Sequence, residues 1–167
     1  LTSIPILLAG TGELITERSG VLNLGVEGMM LTGAVAALGS VLIFGNPYLG
    51  IFFGALAGIL ASLIFSFFTI YLSTNQVASG LGLTIFATGL TGLIGAPFVG
   101  KTIPSLPKID LFFLSDLPFL GQLLFSHDIL VYLSIFLIIS VNYILFKSKY
   151  GMIVRAVGDN HHSAHSI

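Results

Sequence analysis

Apolar residues dominate the chain and fall into long runs separated by short polar segments. A helix needs about 20 residues to cross roughly 30 Å of hydrocarbon. The four runs that approach this length cover residues 29–44, 49–72, 77–99 and 129–146, and a shorter run covers residues 2–15. The pattern therefore predicts an all-α, polytopic bundle of transmembrane helices that forms one domain over residues 1–167.

Short polar segments between the runs predict turns. Gly45, Asn46 and Pro47 form a turn by composition, and residues 73–76 offer N-cap side chains to the next helix. The long connection at residues 100–127 is rich in proline and reads as an interfacial loop.

Basic residues near the end of the last run predict the orientation of the bundle. Lys147, Lys149 and Arg155 lie there, and Lys and Arg concentrate on the cytoplasmic side of membrane proteins. We therefore expect residues 147–167 to be cytoplasmic. Single crossings counted backwards place the loop at residues 100–127 outside the cell.

The composition excludes several classes of protein. Hydrophobic residues make up 55% of the chain, charged residues 8%, and the net charge is −1, so a water-soluble globule or a nucleic-acid-binding protein is not expected. The chain has no cysteine, and His161 and His165 have no carboxylate or thiol at ligand spacing. We therefore expect an integral protein of the cell membrane in contact with the lipid bilayer, with no metal and no cofactor.

The polar segment at residues 12–30 carries four charges among glycines, between two apolar runs. Ionisable side chains in a membrane are costly unless they face water, a partner or a passage. Glycines would let the backbone unwind there and expose its polar groups to a solute. We interpret this segment as a break in the helical pattern and assign four residues to a translocation pathway: Asn23, Gly25, Glu27 and Gly28. An ordinary juxtamembrane turn with solvated charges is the open alternative.

Small residues recur every four positions on two of the predicted helices. Such stripes let helix backbones approach closely in lipid, where no hydrophobic force drives helices together. We assign a helix-packing role to the glycines of these stripes: Gly50, Gly54, Gly58, Gly80 and Gly92.

A second polar segment closes the chain. Gly158 is expected to end the preceding structure, and Asp159 or Asn160 to cap a short new helix that is too polar for lipid. Such a helix would suit a soluble partner. The residues that we expect to meet this partner are Arg155, Gly158, Asp159, Asn160, Ser163 and Ala164.

Several of these segments together resemble a known family. The runs at residues 12–30, 33–34, 75–77 and 150–160 are similar, in order, to permease subunits of ATP-binding cassette importers in the branched-chain amino acid, simple sugar and nucleoside group. The resemblance implies a second permease subunit, a cytoplasmic ATPase and an extracytoplasmic substrate-binding protein as partners. It also implies that residues 158–167 form the coupling helix that contacts the ATPase.

The resemblance further implies that the chain is not an enzyme. ATP hydrolysis would belong to the separate ATPase, and we expect no ATP-binding loop here. Helices of the family continue beyond a coupling helix, so the chain is expected to be the N-terminal part of a longer permease. A nucleoside or simple sugar is the expected solute and a branched-chain amino acid the alternative, while an ion-coupled secondary transporter or channel is the competing class.

Overall fold

The computed structural model describes residues 3–103 and 128–160, and this part of the chain is helical. Its α-helices are α1 (Ile4–Arg18), α2 (Val26–Phe44), α3 (Pro47–Ser66), α4 (Gln76–Gly95), α5 (Ile129–Lys147) and α6 (Lys149–Asp159). A π-helical turn extends α3 over Phe67–Tyr71, and a 3-10 turn extends α4 over Ala96–Phe98.

Within residues 3–103 and 128–160, four helices are long and apolar enough to cross a membrane. They are α2, α3 with its π-helical turn, α4 with its 3-10 turn, and α5, each of 19 to 25 residues. These four spans confirm the all-α transmembrane bundle that the apolar runs predict. The short first run forms α1, whose 15 residues extend over about 22 Å at 1.5 Å per residue.

The predicted turn and cap are confirmed. Gly45 has a positive φ of 68°, and the Asn46 side chain accepts a hydrogen bond from the Tyr48 backbone N–H at 2.9 Å, so α3 begins immediately after α2. Before α4, the Asn75 side chain accepts from the Ala78 N–H at 3.1 Å. Each cap satisfies one backbone donor that the first turn of a helix leaves without a partner.

Helix α2 is the centre of the bundle and packs against α3 and α4. A Cβ built on Gly54 of α3 would lie 3.1 Å from the Cβ of Ala37, and Gly50 approaches Val41 even more closely. Gly58 and Gly92, by contrast, have nothing within 4 Å of such a Cβ in the described part of the chain. The packing role expected of these two glycines therefore has no counterpart within residues 3–103 and 128–160.

Helix α1 packs chiefly against α5 and touches the end of α6. It makes fewer contacts with α2, so an open groove remains between α1 and α3 along one side of α2. The groove is described with the functional site.

A serine forms the sharp corner between α5 and α6. The Ser148 hydroxyl donates to the Ile144 carbonyl oxygen at 2.6 Å and accepts from the Gly151 N–H at 3.1 Å. The same side chain thus closes α5 and caps α6. Gly151 has no side chain to separate the two helices, and it is buried against the last turn of α5.

Helix α6 ends one residue after Gly158, close to the end that the sequence predicts. Helix α6 begins ten residues before the predicted new helix and passes through Gly158 to Asp159, while Asn160 is extended. The signal that sequence reasoning missed is Ser148, a good N-cap residue immediately before α6. The helix predicted after Asn160, with Ser163 and Ala164, lies outside the described residues, as does most of the loop at residues 100–127.

Candidate functional site

The polar segment interrupts the helices over residues 19–25, between α1 and α2. Helix α1 ends at Arg18, and Gly20 turns the chain with a φ of 86°. Gly25 then precedes the first residue of α2. We call residues 19–25 the break.

Side chains of α1, of α4 and of the break itself bond to the backbone of the break. The Leu22 N–H donates to the Gln76 side-chain oxygen at 2.8 Å, and the Asn23 N–H donates to Glu13 Oε1 at 3.2 Å. The Gly25 N–H donates to Asn23 Oδ1 at 3.0 Å. These three N–H groups are therefore occupied by protein acceptors and are not free for a solute in this conformation, which differs from the expectation of an exposed backbone.

Helix α4 makes further contacts with the end of the break and the start of α2. The Thr84 hydroxyl donates to the Leu24 carbonyl oxygen at 3.1 Å. A Cβ on Gly80 would lie 2.9 Å from the Gly25 nitrogen, and one on Gly28 would lie 2.9 Å from the Thr84 Cα. Gly25 and Gly28 are buried in this contact, so both face α4.

Glu13 carries the least satisfied polar atom of the site. Its Oε1 atom accepts the Asn23 N–H, whereas its Oε2 atom is buried and has no hydrogen-bond partner among the described residues. Asn23 is 8% exposed, and its Nδ2 group donates to the Met29 sulfur at 3.7 Å. Thioether sulfur is a weak acceptor, so the amide retains most of its donor capacity.

Glu13 and Asn23 lie at one end of the groove between α1, α2 and α3. The groove has a volume of about 1020 Å³, at the upper end of the range for small-molecule sites. Its walls are largely apolar, and its polar side chains all lie towards the break. These polar lining residues are Glu13, Thr16, Asn23 and Ser62.

Of the four residues assigned to a pathway from sequence, the structure places Asn23 on the groove. Gly25 and Gly28 face α4, as described above. Glu27 is exposed in the first turn of α2, where the positive end of the helix dipole favours a carboxylate. Sequence reasoning omitted Glu13 from the pathway, although its position at the edge of an apolar run was a usable signal.

Helix α6 touches the break. A Cβ on Gly20 would lie 3.1 Å from the Gly158 Cα, and one on Gly158 would collide with the Arg18 carbonyl oxygen. The guanidinium groups of Arg18 and Arg155 also lie over the Phe146 ring, at 5.9 and 5.3 Å from its centroid. The role of Gly158 is thus close contact with the break.

One motif requires a correction to the expectation of no ATP-binding loop. Residues 95–102 read GAPFVGKT, which matches the letters of the phosphate-binding pattern G-x-x-x-x-G-K-[ST]. That loop needs a strand before it and a helix after it. Here Gly95 ends a membrane-spanning helix and Ala96–Phe98 is a 3-10 turn, while the Lys101 ammonium lies 5.9 Å from the centre of the Phe98 ring. The context is that of a helix end, so the match does not indicate a nucleotide site.

The whole chain, residues 1–167, matches the family described as branched-chain amino acid transport system / permease component. The chain belongs to this family and is a multi-pass membrane protein of the cell membrane.

Three relatives with curated names support this assignment. The chain is 39% identical over 159 residues to a candidate glucose ABC transporter permease protein, TsgC13, of Haloferax volcanii, covering 93% of this chain and 48% of that protein. It is 34% identical to the guanosine ABC transporter permease protein NupQ of Bacillus subtilis, covering 93% and 53% of the two chains. It is 30% identical to the nucleoside ABC transporter permease protein NupC of Lactococcus lactis subsp. cremoris, covering 99% and 56%.

The chain thus spans about half the length of the curated relatives it matches. No solved structure matches it.

Proposed function

We propose that this chain belongs to the translocating subunit of an ATP-binding cassette importer for a small polar solute. Its family, its four spans and the names of its relatives support this function. A nucleoside or a simple sugar is the solute we favour, because the named relatives are glucose, guanosine and nucleoside permeases. A branched-chain amino acid is the alternative.

One observation carries the coupling part of the proposal: α6 contacts the break directly. Gly158 touches Gly20, and Gly20 is three residues from Asn23 at the polar end of the groove. If a soluble ATPase displaced α6, the contact between Gly158 and Gly20 would therefore transmit the movement to the break and to Asn23 at the groove. We propose that the ATPase binds at the end of the bundle that holds residues 18–25, 73–76 and 147–160.

The other partners follow from the same arrangement. The groove is open along one side, and large apolar side chains cover much of the outer surface of the spans, which suits further permease helices, a second permease subunit and lipid. An extracytoplasmic binding protein would deliver the solute at the opposite end, where residues 45–47 and 99–103 lie.

Cysteine labelling tests this orientation. The native chain has no cysteine, so single cysteines at Ser163 and Ser105 can be labelled without background. We expect an impermeant maleimide to label the Ser105→Cys variant in intact cells and the Ser163→Cys variant in inverted vesicles. Labelling of both variants from the same side would contradict the topology.

Reconstituted transport tests the function itself. The complete protein would be placed in proteoliposomes with its proposed ATPase and binding protein. Uptake of labelled guanosine, glucose and leucine would then be measured without an ion gradient. We expect uptake that requires ATP, the ATPase and the binding protein.

A second candidate, an ion-coupled transporter, is favoured by one observation. Glu13 is a carboxylate with a buried, unpartnered oxygen beside the groove, and such groups often bind coupling ions in membranes. Uptake that is driven by a proton or sodium gradient and is indifferent to ATP would support this candidate and contradict the importer.

A further inference from the structure

Glu13 and Asn23 retain unused hydrogen-bonding capacity at the same place. The Glu13 Oε2 atom is an acceptor without a donor, and the Asn23 amide is a donor with only a sulfur acceptor. The two residues are joined by the bond from the Asn23 N–H to Glu13 Oε1 at 3.2 Å. Both line the polar end of the groove.

This arrangement is costly without a further partner. A buried polar group that lacks a hydrogen bond loses its hydration and gains nothing in return, and a carboxylate loses more than a neutral group. Such groups therefore persist where something else satisfies them. What is missing here is a group that donates to a carboxylate and accepts from an amide.

The charge of the groove limits which class of solute could supply this missing group. Among the described residues that line it, Glu13 is the only ionisable one. A free amino acid could place its ammonium on Glu13, but its own carboxylate would then lie in an apolar groove with no cation and near a like charge. A neutral hydroxyl is both donor and acceptor and meets no such repulsion.

We propose that Glu13 and Asn23 form a subsite for the hydroxyl groups of a neutral, polyhydroxylated solute, such as the ribose of a nucleoside or a hexose. One hydroxyl donates to Glu13 Oε2, and the same or a neighbouring hydroxyl accepts from Asn23 Nδ2. Val26 and Met29, which line the groove beside them, supply an apolar surface for the carbon skeleton. The inference rests on the proposed function, because it names the chemical class of the transported solute.

The test compares Glu13→Gln with Glu17→Gln. Glutamine keeps an acceptor for the Asn23 N–H but removes the charged acceptor, so the fold is expected to survive. Glu17 lies one turn further along α1 and is exposed, so Glu17→Gln removes the same charge away from the groove. Folding of both variants would be checked by gel filtration and thermal unfolding.

Two readouts are used on the complete protein. The first is direct binding to the purified permease, with guanosine and glucose as probes, 2′,3′-dideoxyguanosine as the analogue without ribose hydroxyls at those positions, and leucine as the amino acid. The second is ATP-dependent uptake of the same compounds in the reconstituted system.

We expect the wild type and Glu17→Gln to bind guanosine more tightly than its dideoxy analogue. In Glu13→Gln, the ratio of the two affinities should fall by about tenfold to a hundredfold, because a hydrogen bond to a charged group is worth about that factor. Loss of the preference in Glu13→Gln alone supports the subsite, even if uptake proves to be independent of ATP. ATP-independent uptake together with this loss of preference would overturn the proposed importer and keep the proposed subsite.

Three outcomes would overturn the subsite. They are equal preference in wild type and Glu13→Gln, stronger binding of leucine than of either hydroxylated probe, and no binding of guanosine or glucose by the wild type. ATP-dependent uptake alongside any of these would leave the proposed function intact. A Glu13→Gln protein that is more stable than wild type with unchanged preference would identify the carboxylate as a buried charge with a different partner.

Discussion

The two sides of α2 differ in what their glycines do. On the side of α4, Gly28 and Gly80 lie in contacts so close that a Cβ on either would come within 2.9 Å of a backbone atom. On the side of α1, Gly12 and Gly58 line the groove, and a Cβ on either would meet nothing within 4 Å in the described part of the chain.

This difference shows that glycine spacing alone does not distinguish packing from open space. In the α2–α4 contact, the missing side chain lets two backbones meet, which fixes the break against α4. Along the groove, the missing side chain leaves volume beside Glu13 and Asn23. Helix α3 also packs closely on α2, through Gly50 and Gly54. We infer that α2, α3 and α4 form the fixed part of the described structure, and that α1 forms the adjustable wall.

The largest expected effect comes from filling the closed side. Gly80→Leu would place a side chain against the backbone of Leu24 and Gly25, and overpacking of this kind costs up to about 3 kcal/mol. We expect loss of most folded protein in detergent, measured by gel filtration, and a lower unfolding temperature for the remainder.

Gly92→Leu is the matched control, because it lies three turns further along α4 with open space around it. It should fold normally. If Gly92→Leu is as destabilised as Gly80→Leu, the face of α4 that carries Gly92 packs against a further element of the complete protein. If neither is destabilised, the α2–α4 contact does not belong to the fixed part of the bundle.

The sequence predicts the helices well because hydrocarbon imposes one requirement on every span. A run of about 20 apolar residues has no alternative to a helix, so α2 to α5 could be read from the chain. The cap at Asn75 and the turn at Gly45 could also be predicted, since a cap and a left-handed turn depend on residues that are adjacent in sequence.

The site was harder to predict because it depends on contacts distant in sequence. Asn23 was assigned to the pathway, but the position of Glu13 beside it follows from how α1 and α2 meet across the break. The sequence does not show whether Gly28 faces a pathway or a helix, and the structure places it against Thr84 of α4. The close contact of Gly158 could not be predicted for the same reason, since the carbonyl of Arg18 that it approaches is 140 positions away.

A smaller effect is expected from filling the open side. Gly58→Leu adds a side chain to the wall of the groove without meeting other described atoms, so we expect the unfolding temperature to stay close to that of wild type. Solute passage should suffer, because even one additional methylene in a binding pocket changes discrimination by about tenfold or more.

Uptake of guanosine and glucose by reconstituted Gly58→Leu therefore separates the two kinds of glycine. Normal folding with at least about a tenfold decrease in uptake, equivalent to about 1.4 kcal/mol, supports the groove as the solute route. Normal folding with normal uptake would assign the groove to lipid or to another helix, and poor folding would return Gly58 to helix packing.

The smallest expected effect concerns the contacts that hold α1 on the open side. Arg18 of α1 and Arg155 of α6 both lie over the ring of Phe146 in α5. Each cation–π contact at an exposed site is worth about 0.5–1 kcal/mol. Phe146→Leu keeps an apolar side chain and removes both contacts. We expect it to lower the free energy of unfolding by about 1 kcal/mol and to increase labelling of a cysteine introduced at Thr16 on the groove, because α1 is then held less firmly.

Phe136→Leu, also exposed on α5, is the control and should change neither measurement. Unchanged labelling at Thr16 in Phe146→Leu would show that α1 is fixed by its packing on α5 alone, and would remove the adjustable wall from the comparison.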